Sequence, residues 1–212
     1  MAVNVSGTEG YAENAQALIE HWQGISCAEH HKPILHLLPT DPSDVLDIGA
    51  GIGTDAAAFA TMGHRVVAVE PVDQFRAAAI KLHSSPRIEW VDDCLPDLAV
   101  LNSRKQTFDL VMLTAVWMHL DEEQRRRAMA MVGSVLRDGA LMIMSLRHGP
   151  PPSGRRMFDV SPEETIALAN GNGLRVTLNV RTESAQAGNR RMRVTWSRLA
   201  FVKDRGLHAP AG

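Results

Sequence analysis

The stretch Val45-Leu46-Asp47-Ile48-Gly49-Ala50-Gly51-Ile52-Gly53-Thr54 runs from apolar residues into three glycines at alternate positions. A short apolar run followed by glycines reads as a buried strand that turns sharply into a helix. Without a Cβ at the turn, backbone can lie against a ligand, and the N–H groups opening the helix point at it. The spacing narrows the ligand. A dinucleotide fingerprint, G-x-G-x-x-G, would place its third glycine where Thr54 stands. Asp47, two residues before the first glycine, would repel a pyrophosphate but can accept a hydrogen bond from a cationic amine or brace the loop. The loop favours a cationic nucleotide-like ligand.

Downstream, strand and helix patterns alternate. Ala56–Ala60 reads as helix with Gly63 as its cap, Arg65–Val69 as a strand ending at Glu70, and Asp73–Leu82 as helix with Asp73 capping it. Ile88–Val91, the nearly continuous apolar run Phe108–Leu113 and Ala140–Ser145 read as the next strands. Ala128, Met129, Val132, Val135 and Leu136 give the intervening helix its apolar face, and Asp138-Gly139 is a turn. Ser161-Pro162-Glu163-Glu164 starts a helix to Asn170. Leu174–Val180 and Val194–Val202 are two further strands joined by a polar loop over 182–191. Alternation of this kind predicts a parallel sheet with helices on both faces and ligands at the carboxyl ends of the strands.

The pattern Asp47-x-Gly49-x-Gly51-x-Gly53, followed by Arg65-Val66-Val67-Ala68-Val69-Glu70, resembles the class I S-adenosylmethionine-dependent methyltransferases from about Val45 to Ser145. The resemblance implies a Rossmann-like, doubly wound, mostly parallel seven-stranded sheet with an antiparallel edge strand. It also implies S-adenosylmethionine as cofactor, with the loop of Asp47, Gly49, Ala50, Gly51, Gly53 and Thr54 beneath its methionine part. Glu70, with Pro71 beside it, would hold both ribose hydroxyls, a task suited to a carboxylate because it accepts from two donors at once. Asp93 would accept from the adenine amino group with the Cys94 backbone facing the ring, and Asp92 is the competing acid. Leu113 and Thr114 would pass beside the methyl donor. Tyr11, within the leading helical pattern Tyr11–Leu38, is a candidate lid residue.

His119, just beyond the fourth strand, has the residue type for a general base, since an unperturbed imidazole titrates near working pH, and it can equally serve to hold its loop. Arg147, Arg155 and Arg156 lie in a proline- and glycine-rich stretch leaving the ligand-bearing edge, where guanidinium groups could clamp a carboxylate or phosphate. These residues point to direct in-line methyl transfer to a small-molecule oxygen, nitrogen or other nucleophile, with an anionic acceptor favoured. A non-catalytic cofactor-binding partner or regulator, a nucleotide-dependent oxidoreductase and a nucleic-acid methyltransferase are the alternatives.

Composition sets the remaining bounds. The 212 residues suit one domain, with lid helices over 1–40, a Rossmann-like core over 41–205 and a loose tail over 206–212. With 45% hydrophobic and 22% charged residues, no apolar run of membrane-spanning length and no signal-peptide pattern at the start, a cytoplasmic protein is expected. Two cysteines make no disulfide framework. The histidines, His30, His31 and His36 included, show no H-E-x-x-H spacing, so they read as a solvated or partly buried helix surface and no metal is expected. Net charge is −2, divided as −7 over residues 1–150 and +5 over 151–212. That balance argues against a dedicated nucleic-acid binder but would steer an anionic substrate. Oligomeric state is not encoded in any motif.

Overall fold

In the computed structural model, residues 6–205 are described; the expected tail over 206–212 lies outside them. Two short helices, α1 (Ala15–Trp22) and α2 (Cys27–His31), and a 3-10 turn at Leu35–Leu37 lead into β1 (Asp44–Ile48). There follow α3 (Thr54–Thr61), β2 (Arg65–Val69), α4 (Asp73–Leu82), β3 (Ile88–Val91), α5 (Ala99–Arg104), β4 (Phe108–Leu113) and α6 (Glu122–Val135). The chain ends through β5 (Leu136–His148), α7 (Pro162–Asn170), β6 (Leu174–Glu183), α8 (Ala187–Arg191) and β7 (Thr195–Lys203).

The seven strands form one sheet in the order β3-β2-β1-β4-β5-β7-β6. Strands β1 to β5 are parallel, while β7 runs antiparallel to both β5 and β6, so the reversed strand lies one place in from the edge. Strand order reverses at β1, which lies between β2 and β4, and the crevice above the carboxyl ends at such a switch point is where α/β sheets bind ligands.

Pleat alternation divides the core. Leu46, Ile48, Val67, Val69, Val111 and Leu113 pack one face against Ala128, Met129 and Val132 of α6. Val45, Val66, Ala68, Leu110 and Met112 pack the other against Ala56 and Phe59 of α3 and Ile34. With both faces covered, the strands read as continuous apolar runs. Each fully buried aromatic such as Phe59 contributes roughly 1.5–3 kcal/mol of apolar burial.

Helix starts follow the sequence signals in α6 and α7. Asp121 and Gln124 form a reciprocal capping box, and the Ser161 hydroxyl accepts from the Glu164 N–H. Some readings need correction. Asp73 is the first helical residue rather than the cap; Val72 flanks it, and the Asp73 carboxylate pairs with Arg76 at 2.5 Å. The 182–191 stretch contains α8. Arg147 and His148 belong to the end of β5. Asp138-Gly139 makes no free turn: Gly139 takes φ +78° within β5, and the β4 register shifts between Phe108 and Leu110. His31 is buried, not on a helix surface, because its Nε2 meets the buried Asp55 carboxylate at 2.7 Å.

Candidate functional site

The glycine loop hangs on β2. The N–H groups of Gly49 and Ala50 both donate to the Val69 carbonyl, at 2.8 and 2.9 Å, and all three glycines take positive φ. Their surroundings differ. A Cβ on Gly49 would lie 2.4 Å from Val116 Cγ2, and one on Gly53 would lie 2.4 Å from the Trp90 ring; at Gly51 the nearest atom is Trp22, 3.7 Å away. Gly49 and Gly53 therefore permit packing within the protein, while Gly51 leaves a cradle that opens on a cavity of about 440 Å³. That volume falls in the range of small-molecule sites, roughly 300–1,000 Å³.

One end of the cavity is acidic. Asp47 is 1% exposed; the Ala56 N–H supports its carboxyl, but Oδ2 has no hydrogen-bond partner. Burial, followed by the nearby Asp55 and Glu70, pushes the Asp47 carboxyl well above the usual range. Glu70 accepts from the Gly51 N–H through Oε2 and from the Val72 N–H through Oε1, each at 2.8 Å. These bonds and Arg76 favour its charge, yet burial outweighs them and holds it at about 7. Asp93 Oδ2 accepts from Val100 and Leu101 at the start of α5, and Oδ1 accepts from Cys94 N–H. Asp55 receives His31 Nε2 and the Thr114 hydroxyl on Oδ2, which hold it at about 2 despite burial. Cys27, His31 and Asp55 offer ligand-type atoms within 4.8 Å of one another. Burial and Asp55 push the Cys27 thiol up, so it remains a neutral S–H in this hydrogen-bonded group.

The other end is apolar and basic. Ile25, Met118, Met157 and Trp196 line it with His30, Arg147, Arg155, Gln186 and Asn189, whereas Trp22 packs beside the glycine loop with Ile52, Val72 and Phe75. Arg147 is 9% exposed and donates through Nη1 to the carbonyls of Gly149 and Pro150. The Arg155 guanidinium lies 3.7 Å over the Tyr11 ring. Among the described residues neither arginine is ion-paired to a carboxylate. Behind this wall, buried Arg198 faces His30 Nε2 at 3.4 Å and donates to its carbonyl at 3.2 Å. Burial and that guanidinium keep His30 neutral, near 4.

His119 stands where the two ends meet. Its Nδ1 is 2.8 Å from the Arg156 carbonyl and its Nε2 is 3.0 Å from the Tyr11 hydroxyl. Burial lowers its basicity. The Phe158 N–H donates to the Met118 carbonyl at 2.8 Å, so the post-β5 loop is stitched to the turn that carries His119.

Of the residues singled out from sequence, Tyr11, Asp47, Gly49, Ala50, Gly51, Thr54, Glu70, Pro71, Asp93, Cys94, Thr114, His119, Arg147 and Arg155 all line this one cavity. Four point elsewhere. Gly53 accommodates Trp90, and its N–H is used by the Ala50 carbonyl. Leu113 is fully buried in the core against α6. Asp92 faces solvent beside Arg76, 3.3 Å away. Arg156 turns to Asp121, at 3.0 Å, and to the Ser6 hydroxyl. The sequence reading missed Asp55, Trp22, His30, Met118, Met157 and Trp196. Among the described residues no helix is long and apolar enough to cross a membrane.

Residues 45–139 match a family model described as a methyltransferase domain. No curated protein matches the sequence. Among solved structures, Burkholderia thailandensis 1,6-didemethyltoxoflavin-N1-methyltransferase, bound to 1,6-didemethyltoxoflavin and S-adenosylhomocysteine, superposes with a TM-score of 0.72. It is 20% identical, over 92% of this chain and 86% of that one. N-methyltransferase NodS from Bradyrhizobium japonicum WM9, in complex with S-adenosylhomocysteine, gives 0.66 at 17% identity over 91% and 100%. Haemonchus contortus phospholethanolamine N-methyltransferase 2, with phosphomonomethylethanolamine and S-adenosylhomocysteine, gives 0.69 at 15% over 92% and 58%. Residues 45–139 thus match a methyltransferase domain, and the chain has the fold of the S-adenosylmethionine-dependent methyltransferases it superposes on.

Proposed function

We propose that this chain is an S-adenosylmethionine-dependent methyltransferase that acts on an anionic small molecule by direct in-line transfer, with the cofactor at the acidic end of the cavity and the acceptor at the basic end. The observation that carries the reading is this opposition of charge within one cavity: Asp47, Glu70 and Asp93 against Arg147 and Arg155. The cofactor fits the acidic end on two counts. Asp47 Oδ2 is a buried acceptor with no partner, matched to an ammonium group, and Gly51 leaves room for a backbone-hugging ligand. Glu70 would take the ribose hydroxyls on the lone pairs its two N–H bonds leave over, and Asp93 Oδ1 would take the adenine amine.

When bound, S-adenosylmethionine supplies a methyl group activated by a sulfonium. The chain's part is to hold the acceptor in line with that methyl and to exclude water, which contributes up to roughly 7–11 kcal/mol in well-oriented systems. Met118, Met157 and Trp196 supply the apolar walls. Arg147, which is buried, and Arg155, half-buried over Tyr11, would bind a carboxylate or phosphate more strongly than fully exposed guanidinium groups do. A neighbour of the same fold holds phosphomonomethylethanolamine, a phosphorylated amine.

The test is to separate a metabolite extract by anion exchange and incubate each fraction with the protein and methyl-labelled S-adenosylmethionine, following label by mass spectrometry. Label should enter the anionic fraction. Product formed only from neutral or cationic metabolites would overturn the anionic assignment while leaving methyl transfer standing.

A further inference from the structure

We propose that Tyr11 is the catalytic residue that removes the acceptor's proton, its hydroxyl oxygen taking that proton while its own passes to Nε2 of His119. The inference rests on the methyl-transfer reading above and concerns which atom faces the nucleophile.

His119 cannot take the proton directly in this geometry. A backbone carbonyl only accepts, so the 2.8 Å contact with the Arg156 carbonyl places the hydrogen on Nδ1. In a neutral imidazole the lone pair is then on Nε2, and the contact there is the Tyr11 hydroxyl at 3.0 Å. Tyr11 must therefore be the donor. Both imidazole nitrogens are used, and the oxygen of Tyr11, which the Arg155 guanidinium also contacts, keeps a lone pair to face an incoming X–H group. The tautomer is fixed by backbone rather than by a mobile side chain, so the direction of the relay is built in.

The surroundings support charge movement along this path. Burial raises the phenol of Tyr11, so it stays protonated until a partner takes its proton, while the Arg155 guanidinium 3.7 Å over the ring opposes that shift and favours negative charge on the oxygen. Tyr11 is itself held on three sides, its ring centroid 6.3 Å from that of Trp22, 6.0 Å from Phe75 and 5.4 Å from His119. The charged groups that face His119 are Glu9, Arg147 and Arg155, with the Tyr11 hydroxyl in direct contact. Burial and the two arginines keep the imidazole uncharged and ready to accept.

The step balances without a further reagent. The nucleophile X forms a bond to the methyl carbon as the carbon–sulfur bond breaks and its electron pair returns to sulfur. The proton of X–H moves to Tyr11, the Tyr11 proton moves to His119, and the imidazolium releases it to water after the products leave.

The first measurement needs no turnover: long-range nitrogen–proton NMR of the ligand-free protein, with His119→Asn to assign the signal. The relay requires His119 as the Nδ1–H tautomer; an Nε2–H tautomer would overturn it, because that nitrogen would then donate to Tyr11. The second uses methyl-labelled S-adenosylmethionine with the anionic metabolite fraction. Tyr11→Phe, which keeps the ring, should slow label incorporation by about 10²-fold or more while S-adenosylhomocysteine affinity is unchanged. Tyr11→Phe/His119→Asn should be no slower than the slower single variant, since both remove one unit. The parent's rate should fall at acidic pH where His119 protonates, below its ordinary value near 6.5. Full activity in Tyr11→Phe, or deficits that multiply in the double variant, would reject the relay. A parent that binds S-adenosylhomocysteine and forms product in such a result would leave the methyl-transfer reading intact, whereas a parent that does neither would remove that reading instead.

Discussion

Glu70→Gln tests how the site holds its charge, because this carboxyl does two things at once. In the free protein it accepts from Gly51 and Val72, and burial raises it from an ordinary 4.5 to about 7. That difference corresponds to about 3 kcal/mol by which folding disfavours the ionised form relative to the unfolded chain. Because the folded value is raised, the associated stability is fully present below about 4.5 and is lost as pH climbs through about 7. A glutamine has no such dependence. It does put its NH₂ against one of the two backbone donors, a loss of about 1–3 kcal/mol at any pH. Thermal melts should therefore show Glu70→Gln clearly less stable than the parent at pH 5, with the gap closing or reversing by pH 7.5; Asp47, raised in both proteins, cancels in the comparison. Calorimetry at pH 7.5 should show S-adenosylhomocysteine bound about ten- to a hundredfold more weakly, from loss of a charge-assisted bond of roughly 1.5–3 kcal/mol to the ribose. A gap constant across pH would show that burial does not raise Glu70, and unchanged affinity would remove its role with the ribose.

Three further outcomes follow from the same geometry. With Asp47 and Glu70 both raised in the free protein, binding of S-adenosylmethionine at pH 6 to 7 should ionise them and release protons, read as a dependence of binding heat on the buffer's ionisation enthalpy; absence of that dependence would contradict the acidic-end assignment. Gly53→Ala should lower thermal stability more than Gly51→Ala, since both pay roughly 1–2 kcal/mol for left-handed backbone but only the first drives a Cβ into Trp90; Gly51→Ala should instead weaken cofactor binding, and the reverse ranking would refute the division of roles. Once an acceptor is in hand, Arg147→Lys keeps charge but loses the planar fork, so its KM should rise with cofactor affinity unchanged, and a kinetically silent variant would place the anion elsewhere.

What could be read from the sequence was whatever local chemistry or periodicity dictates. The glycine loop was legible because positive φ at Gly49, Gly51 and Gly53 is a local demand, and the inner strands because burial on both faces leaves continuous apolar runs. Errors came where direction matters. Leu113 closes β4 in the core while Thr114, just beyond it, lines the cavity; Asp92 and Asp93, just past β3, divide between solvent and cavity, and in the loop after β5 Arg155 reaches Tyr11 while Arg156 reaches Asp121. Past a strand end no period fixes which way a side chain points, so neighbouring residues of the same type part only on folding. Other features exist only after folding. Nothing local joins His31 to Asp55, twenty-four positions on, or Tyr11 to His119, 108 positions on, and the basic wall draws on the distant Trp196 and Asn189.

Direct methyl transfer can be followed by a mass balance with S-adenosylmethionine carrying a fully deuterated methyl group, incubated with the anionic metabolite fraction. Direct transfer predicts S-adenosylhomocysteine and one methylated anion appearing in equal amounts, with all three deuterium atoms retained on the product. Cofactor left unconsumed, consumed without a methylated partner, or a product that has lost deuterium would exclude direct methyl transfer by this protein.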